Sequence, residues 1–193
     1  MRSQEKSPFL LPKEFAHLAV AYLVKRYNEV SRHDLGRIIL QKLCYFSEAN
    51  GIPLPFRFEI YHYGPFCEEI YDVTDNLLVD DVIKDEANGD AKSKYIPGPN
   101  FDALLAGAED NRLFQKYRRA LEDVVETFSE LDPTQMEMIS TIHYAHSSYS
   151  EWNGKPPSKE QVVRTVLEIK KEKFPEQSIG RVYDILRDAG LLK

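Results

Sequence analysis

Apolar residues recur every three or four positions over residues 13–28, with Phe15, Leu18, Ala19, Tyr22 and Leu23 on one stripe. That spacing predicts a helix following Pro12. A second helix is expected from Ser31 or Asp34 to about Asn50, stopped by Gly51. Its stripe of Leu35, Ile38, Ile39, Leu43 and Phe46 is widened by Leu40 and Cys44, so it should be buried on more than one side. The pattern then changes period. "FRFEIYHY" alternates Phe56, Phe58, Ile60 and His62 against Arg57, Glu59, Tyr61 and Tyr63, as a half-buried strand does. Gly64-Pro65 stops the alternation, and residues 66–79 return to helical spacing with Ile70, Val73, Leu77 and Leu78 inward.

Residues 80–98 read as a polar hairpin with its turn near Asn88-Gly89-Asp90. Beyond Pro99 the pattern is helical. A long stripe over 112–131 carries Leu113, Tyr117, Leu121, Val124, Phe128 and Leu131. Asp132 and Gln135 form a capping box around Pro133 and open a helix to about His146. A loop is expected over 147–157. Ser158 and Gln161 cap a further helix to about Lys173, and Pro175 opens the last one, which Gly190 stops. The expectation is a mostly helical α+β fold: a helical core, a small antiparallel sheet and a C-terminal helical part. One domain should span 1–193, with the mixed part over 13–98 and the helical part over 99–193.

At 193 residues, 42% hydrophobic and 29% charged, the chain can bury a sizeable interior and is neither disordered nor fibrous. No apolar run reaches the roughly 20 residues of a membrane span. The start, "MRSQEKSPFLLPKEF", lacks the pattern of a signal peptide. With only Cys44 and Cys67 there is no disulfide framework, and a reducing cytoplasm is the expected compartment. Charge is uneven along the chain. Residues 51–110 hold 4 basic and 13 acidic groups, a balance of -9, whereas residues 1–50 and 155–193 each stand at +3.

The strong enzymatic signatures are missing: no P-loop, dinucleotide fingerprint, nucleophile elbow or zincin motif occurs. His143 and His146 could share a helix face, but a metal site needs further ligands at suitable spacing, and a hydrogen-bonded helix-end pair is the simpler reading. Cys67 near a helix start would have its thiol pKa lowered by the dipole, which Glu68 and Glu69 oppose. A nucleophile there would need His62, beside Tyr63, as its base. A small buried thiol is the simpler reading.

The helix, helix, strand, helix, hairpin order is that of a winged helix, whose helix before the wing enters the major groove. Here that helix bears Glu68, Glu69, Asp72, Asp75 and Asn76, with no Lys or Arg between Arg57 and Lys84. Reading base edges requires the opposite charge.

Two stretches carry a resemblance: "LQKLCYFSEANGIPL" (40–54) and "YHYGPFCEEIYDVTDNL" (61–77). Together they resemble the Panacea, or SocA-like, antitoxin domain and the related YwgA-like proteins. Those families pair an L-Q-K-L-x-Y-F helix, a G-x-P-L connection and a Y-G-P turn before a helix with an acidic start. The matching positions are Leu40, Gln41, Lys42, Leu43, Tyr45 and Phe46, then Gly51, Pro53 and Leu54, then Tyr63, Gly64, Pro65, Glu69 and Ile70. Cys67 departs from the pattern, standing where a Ser or other capping residue often follows. The end of the chain is similar in outline to YwgA-like proteins.

The resemblance implies bacterial or phage cytoplasmic proteins, some of them antitoxins that bind toxins directly, with one branch delivering a toxin to a protease. It implies no catalytic residues and no cofactor. Gly64 would permit the turn, Pro65 would preset the helix entry, and Gln41 and Lys42 would need partners such as the carbonyls of the Tyr63-Gly64-Pro65 turn. The leading expectation is a non-enzymatic module that binds another protein, a toxin or a protease among the candidates. Glu68, Asp72 and Asp75 on one helix face would attract a basic partner. A winged-helix regulator and an enzyme centred on Cys67 and His62 are the alternatives.

Overall fold

The computed structural model describes residues 14–87, 92–171 and 173–192. In chain order the elements are α1 (Phe15–Val30), α2 (Arg37–Ala49), β1 (Glu59–Tyr61), β2 (Gly64–Phe66), α3 (Glu69–Val79), β3 (Ile83–Asp85), β4 (Tyr95–Pro97), α4 (Phe101–Ala106), α5 (Arg112–Phe128), α6 (Pro133–Asn153), α7 (Lys159–Lys170) and α8 (Glu176–Asp188). The fold is mostly helical α+β, and among the described residues its antiparallel part is two separate two-stranded ladders, β1 with β2 and β3 with β4. The chain divides into two compact units. Of the described residues, one unit holds those up to Arg57 and those over Cys67–Glu130; the other holds Phe58–Phe66 and those from Leu131.

The first unit is built around α1. Small residues at 16, 19 and 21 let neighbours approach from every side, so Ala19, Val20, Ala21, Leu23 and Val24 have no exposed surface. The helix packs on α2, α3, α4, α5 and β4, where the sequence indicated a single stripe. Helix α2 is buried without interruption from Ile39 to Ser47, as its wide stripe predicted. It starts at Arg37 behind Gly36, later than Ser31 or Asp34 suggested. Phe46 stacks on Phe128 of α5 with ring centroids 4.2 Å apart. Asn111 caps α5 by accepting from the Phe114 N–H. At its start Phe114 is buried and Leu113, expected inward, is exposed, whereas Leu121, Val124 and Phe128 are buried as the stripe predicted. Ladder β3–β4 forms within the stretch read as a polar hairpin, and the turn expected at Asn88-Gly89-Asp90 lies outside the described residues.

In the second unit β1 and β2 make a tight hairpin with Ile60 opposite Pro65. The strand expected over 56–63 therefore ends at Tyr61, and the helix expected from residue 66 starts at Glu69. The reason lies in Gly64 and Pro65. Gly64 takes φ 91°, which reverses the chain, and Pro65 is tolerated in a strand whose outer edge needs no donor. His62, expected inward, falls in the turn and is exposed. Helix α6 has both halves of its capping box but runs to Asn153, through the expected loop. Its late polar residues are satisfied within the helix: Ser150 donates to the His146 carbonyl and Asn153 to that of Tyr149. Gly154, at φ 65°, closes it in the left-handed conformation. Ser158 and Gln161 cap α7 reciprocally. The core of this unit joins Ile142 and Ala145 of α6 to Val162 and Val166 of α7 and to Ile179 and Tyr183 of α8. No helix among the described residues is long and apolar enough to cross a membrane.

Candidate functional site

The two quoted stretches fall in both units. In the first unit Gln41, buried in α2, grips Cys67 at both ends of its peptide. Its Nε2 donates to the Cys67 carbonyl at 2.8 Å, and its Oε1 accepts from the Cys67 N–H at 3.0 Å. Gln41 thus satisfies the chain just before α3, whose start has no side-chain cap. The expected partner was a carbonyl of the Tyr63-Gly64-Pro65 turn; the observed one is the residue two places on. Lys42 and Tyr45 are buried beside it, and Tyr45 packs edge-on against Phe46. The Cys67 thiol donates to Glu69 Oε2 at 2.9 Å. Burial and that carboxylate push its pKa up to about 12, so the sulfur stays protonated and is a poor nucleophile at neutral pH. Burial raises Cys44 as well.

In the second unit the hairpin turn rests on a buried charge cluster. Glu137, on α6, is buried, as is the Lys170 side chain at the end of α7. Lys170 Nζ donates to Glu137 Oε1 at 3.0 Å and to the His62 backbone carbonyl at 2.6 Å. Lys173 Nζ reaches both Glu137 oxygens, at 2.8 and 2.7 Å, and lies 5.1 Å from the centre of the Tyr63 ring. One carboxylate thus holds two ammonium groups, one of which fixes the turn while the other caps an aromatic face. Burial lowers the Lys170 pKa, and Glu137 opposes that effect. Gly64 lies directly over α6: a Cβ there would meet Thr141 Oγ1 at 2.8 Å and Ser140 Oγ at 3.2 Å. The result is a turn with buried Gly64 and Pro65 below and two tyrosines outside, Tyr61 62% and Tyr63 56% exposed.

The turn after α7 carries backbone strain. Lys171 takes φ 51° and ψ -125°, a region that side-chain-bearing residues avoid. The reversal lets Lys170, from the helix, and Lys173, from the turn, reach the same carboxylate. Lys171→Gly is expected to stabilise the protein by about 1 kcal/mol, the relief of strain exceeding the added entropy of the unfolded chain. A rise in the urea midpoint at unchanged slope would show it; an unchanged or lower midpoint would mean that the position is unstrained.

Glu68, Asp72 and Asp75 are exposed on and just before α3, as their spacing predicted, and Asn76 is half-buried. None of the three carboxylates makes an ion pair among the described residues, whereas Glu122, Glu126 and Glu130 in the same unit are all paired with arginines. His143 and His146 are both buried on α6; His143 faces Ser147, and His146 lies against Tyr183. No group of three His, Cys, Asp or Glu residues among the described residues could hold a metal ion. Sequence reasoning missed Glu137, Lys170 and Lys173. A signal was present: Glu137 lies between Met136 and Met138, and Lys170 continues the spacing of Val162, Val163 and Val166. Charges at core-facing positions are the mark of a buried pair. No protein-family model matches the chain, and no curated protein does.

Proposed function

We propose that the protein is a non-enzymatic protein-binding module, antitoxin-like or proteolytic-adaptor-like, that docks through the Tyr61-His62-Tyr63 turn. The observation that carries this reading is the pre-organisation of that turn: two exposed tyrosines on a backbone fixed from below by a buried lysine. Tyrosine contributes large contact area with few rotors, and a turn already held in place loses little entropy on binding. The raised pKa of the Cys67 thiol, from burial and the Glu69 carboxylate, weighs against the enzymatic reading centred on it. On the first unit, the uncompensated carboxylates of Glu68, Asp72 and Asp75 supply an acidic face that suits a basic partner and speeds its encounter.

The test is recovery of partners from the native cell with the tagged protein and with a Tyr61→Ser/Tyr63→Ser variant. The expected result is a protein retained by the wild type and lost from the variant, although both melt alike. With that partner purified, Asp72→Lys/Asp75→Lys should slow association and flatten its ionic-strength dependence without changing the fold. The same proteins recovered with both forms, or a sequence-selective duplex DNA complex at about physiological salt, would overturn the reading.

A further inference from the structure

His17 lies in the first turn of α1, 9% exposed, and neither of its ring nitrogens has a hydrogen-bond partner among the described residues. A neutral imidazole carries one donor and one acceptor, and burying both unpaired costs stability that an apolar side chain would not. The ring stands away from α5. Phe15, Tyr22 and Arg26 meet that helix, and His17 is about 200° round α1 from Phe15. Its own stripe continues through Ala21 and Val24 to Asn28, which donates to the Tyr95 carbonyl of β4 at 3.0 Å, and α1 packs on α3 as well as β4. Two charged groups act on the ring: Glu14, just before α1, and, from the elements packed on that helix, Asp80 at the end of α3. Both favour the protonated ring, but burial outweighs them and lowers its pKa. His146 differs, because its one orphaned nitrogen is affected by burial alone.

The end of α3 is a lightly held joint. Its last residue, Val79, is 70% exposed. The Asp80 carbonyl accepts from Asn100 Nδ2 at 2.8 Å, and Asp81 follows at φ 52°, in the left-handed region. We infer that His17 is an acid-operated latch between α1 and the end of α3. The neutral ring stays buried and the seam is closed. A protonated ring has two N–H donors and a charge that the core does not pair, so it moves out towards water and the carboxylates of Asp80 and Glu14, and the last turn of α3 opens. The sign follows from linkage. The opened chain takes up its proton near the ordinary value of 6.5 and the closed one only at lower pH, so the closed state loses its advantage as the pH falls below 6.5. This inference is independent of the partner proposed above.

Amide hydrogen exchange of the full chain, read by NMR from about pH 7.5 to about pH 5 with the His17 ring followed in the same samples, tests it. After correction for the intrinsic exchange rate, protection of the Leu78, Val79 and Asp80 amides should fall at least about threefold, while amides in the middle of α1 and α2 keep theirs. His17 should titrate below 6.5. In His17→Phe and His17→Gln, which have no proton to gain, the fall should disappear. Unchanged protection in the wild type overturns the inference whether or not the variants fold. So does a fall that persists in either folded variant, or a His17 ring that titrates at or above its ordinary value.

Discussion

Gly64→Val is expected to destabilise the protein by about 3–5 kcal/mol, lowering its melting temperature by roughly 10 °C. Two costs combine. At φ 91° a β-branched residue is strained, by about 1–3 kcal/mol on its own. The added atoms also enter a space already filled, since even a Cβ would come within 2.8 Å of Thr141 Oγ1. Thr141 cannot retreat without giving up its bond to the Glu137 carbonyl, at 2.7 Å. Any shift of α6 there disturbs the carboxylate below the turn. Cys67→Ser, three residues away, is the comparison. A hydroxyl is smaller but still donates to Glu69, so the cost should stay near 1 kcal/mol. Urea and thermal melts of the two variants decide the matter. If Gly64→Val melts like the wild type, the hairpin does not depend on that close approach.

The difference between those variants also marks what the sequence could convey. Helices α1, α2, α6, α7 and α8 follow from period and caps, because an amphipathic stripe and an Asp132–Gln135 or Ser158–Gln161 box act within one turn of the chain. What was not legible depends on contacts distant in sequence. A Gly-Pro after an alternating run reads equally as a strand end or as the first residues of a return strand, and only packing on α6 selects the second. At the start of α5 Leu113 and Phe114 fit the stripe nearly equally; Phe114 is the one buried, while Leu121, Val124 and Phe128 lie inward as expected. The acidic face of α3 was readable, since exposure of charged residues at spacings of three and four is the default. The cluster at Glu137 left only the trace of charges at core-facing positions, and the default for a helix-end lysine places Lys170 in solvent. Its burial requires a carboxylate 33 positions away and a carbonyl 108 positions away.

That cluster sets the other large expected effect. Glu137→Gln should cost about 3 kcal/mol, because it leaves the Lys170 ammonium buried without its counter-charge. Lys173 is partly exposed and can turn to solvent; Lys170 cannot. The loss should depend on pH, with a definite sign. The lysine pKa is already lower in the fold than its ordinary 10.5, so the unfolded chain binds more protons just below that value and stability contributed by this group rises with pH there. Removing the carboxylate that opposes the shift extends this window downward. The deficit of Glu137→Gln relative to wild type should therefore shrink as the pH rises towards the ordinary lysine value of 10.5. A double-mutant cycle separates charge from packing. Lys170→Met and Glu137→Met should each destabilise, and the double variant should lose clearly less than the sum, since apolar groups of similar volume replace the buried pair. Strictly additive losses, or a Glu137→Gln deficit independent of pH, would show that the cluster is solvated and that the Tyr61-His62-Tyr63 turn is held by packing alone.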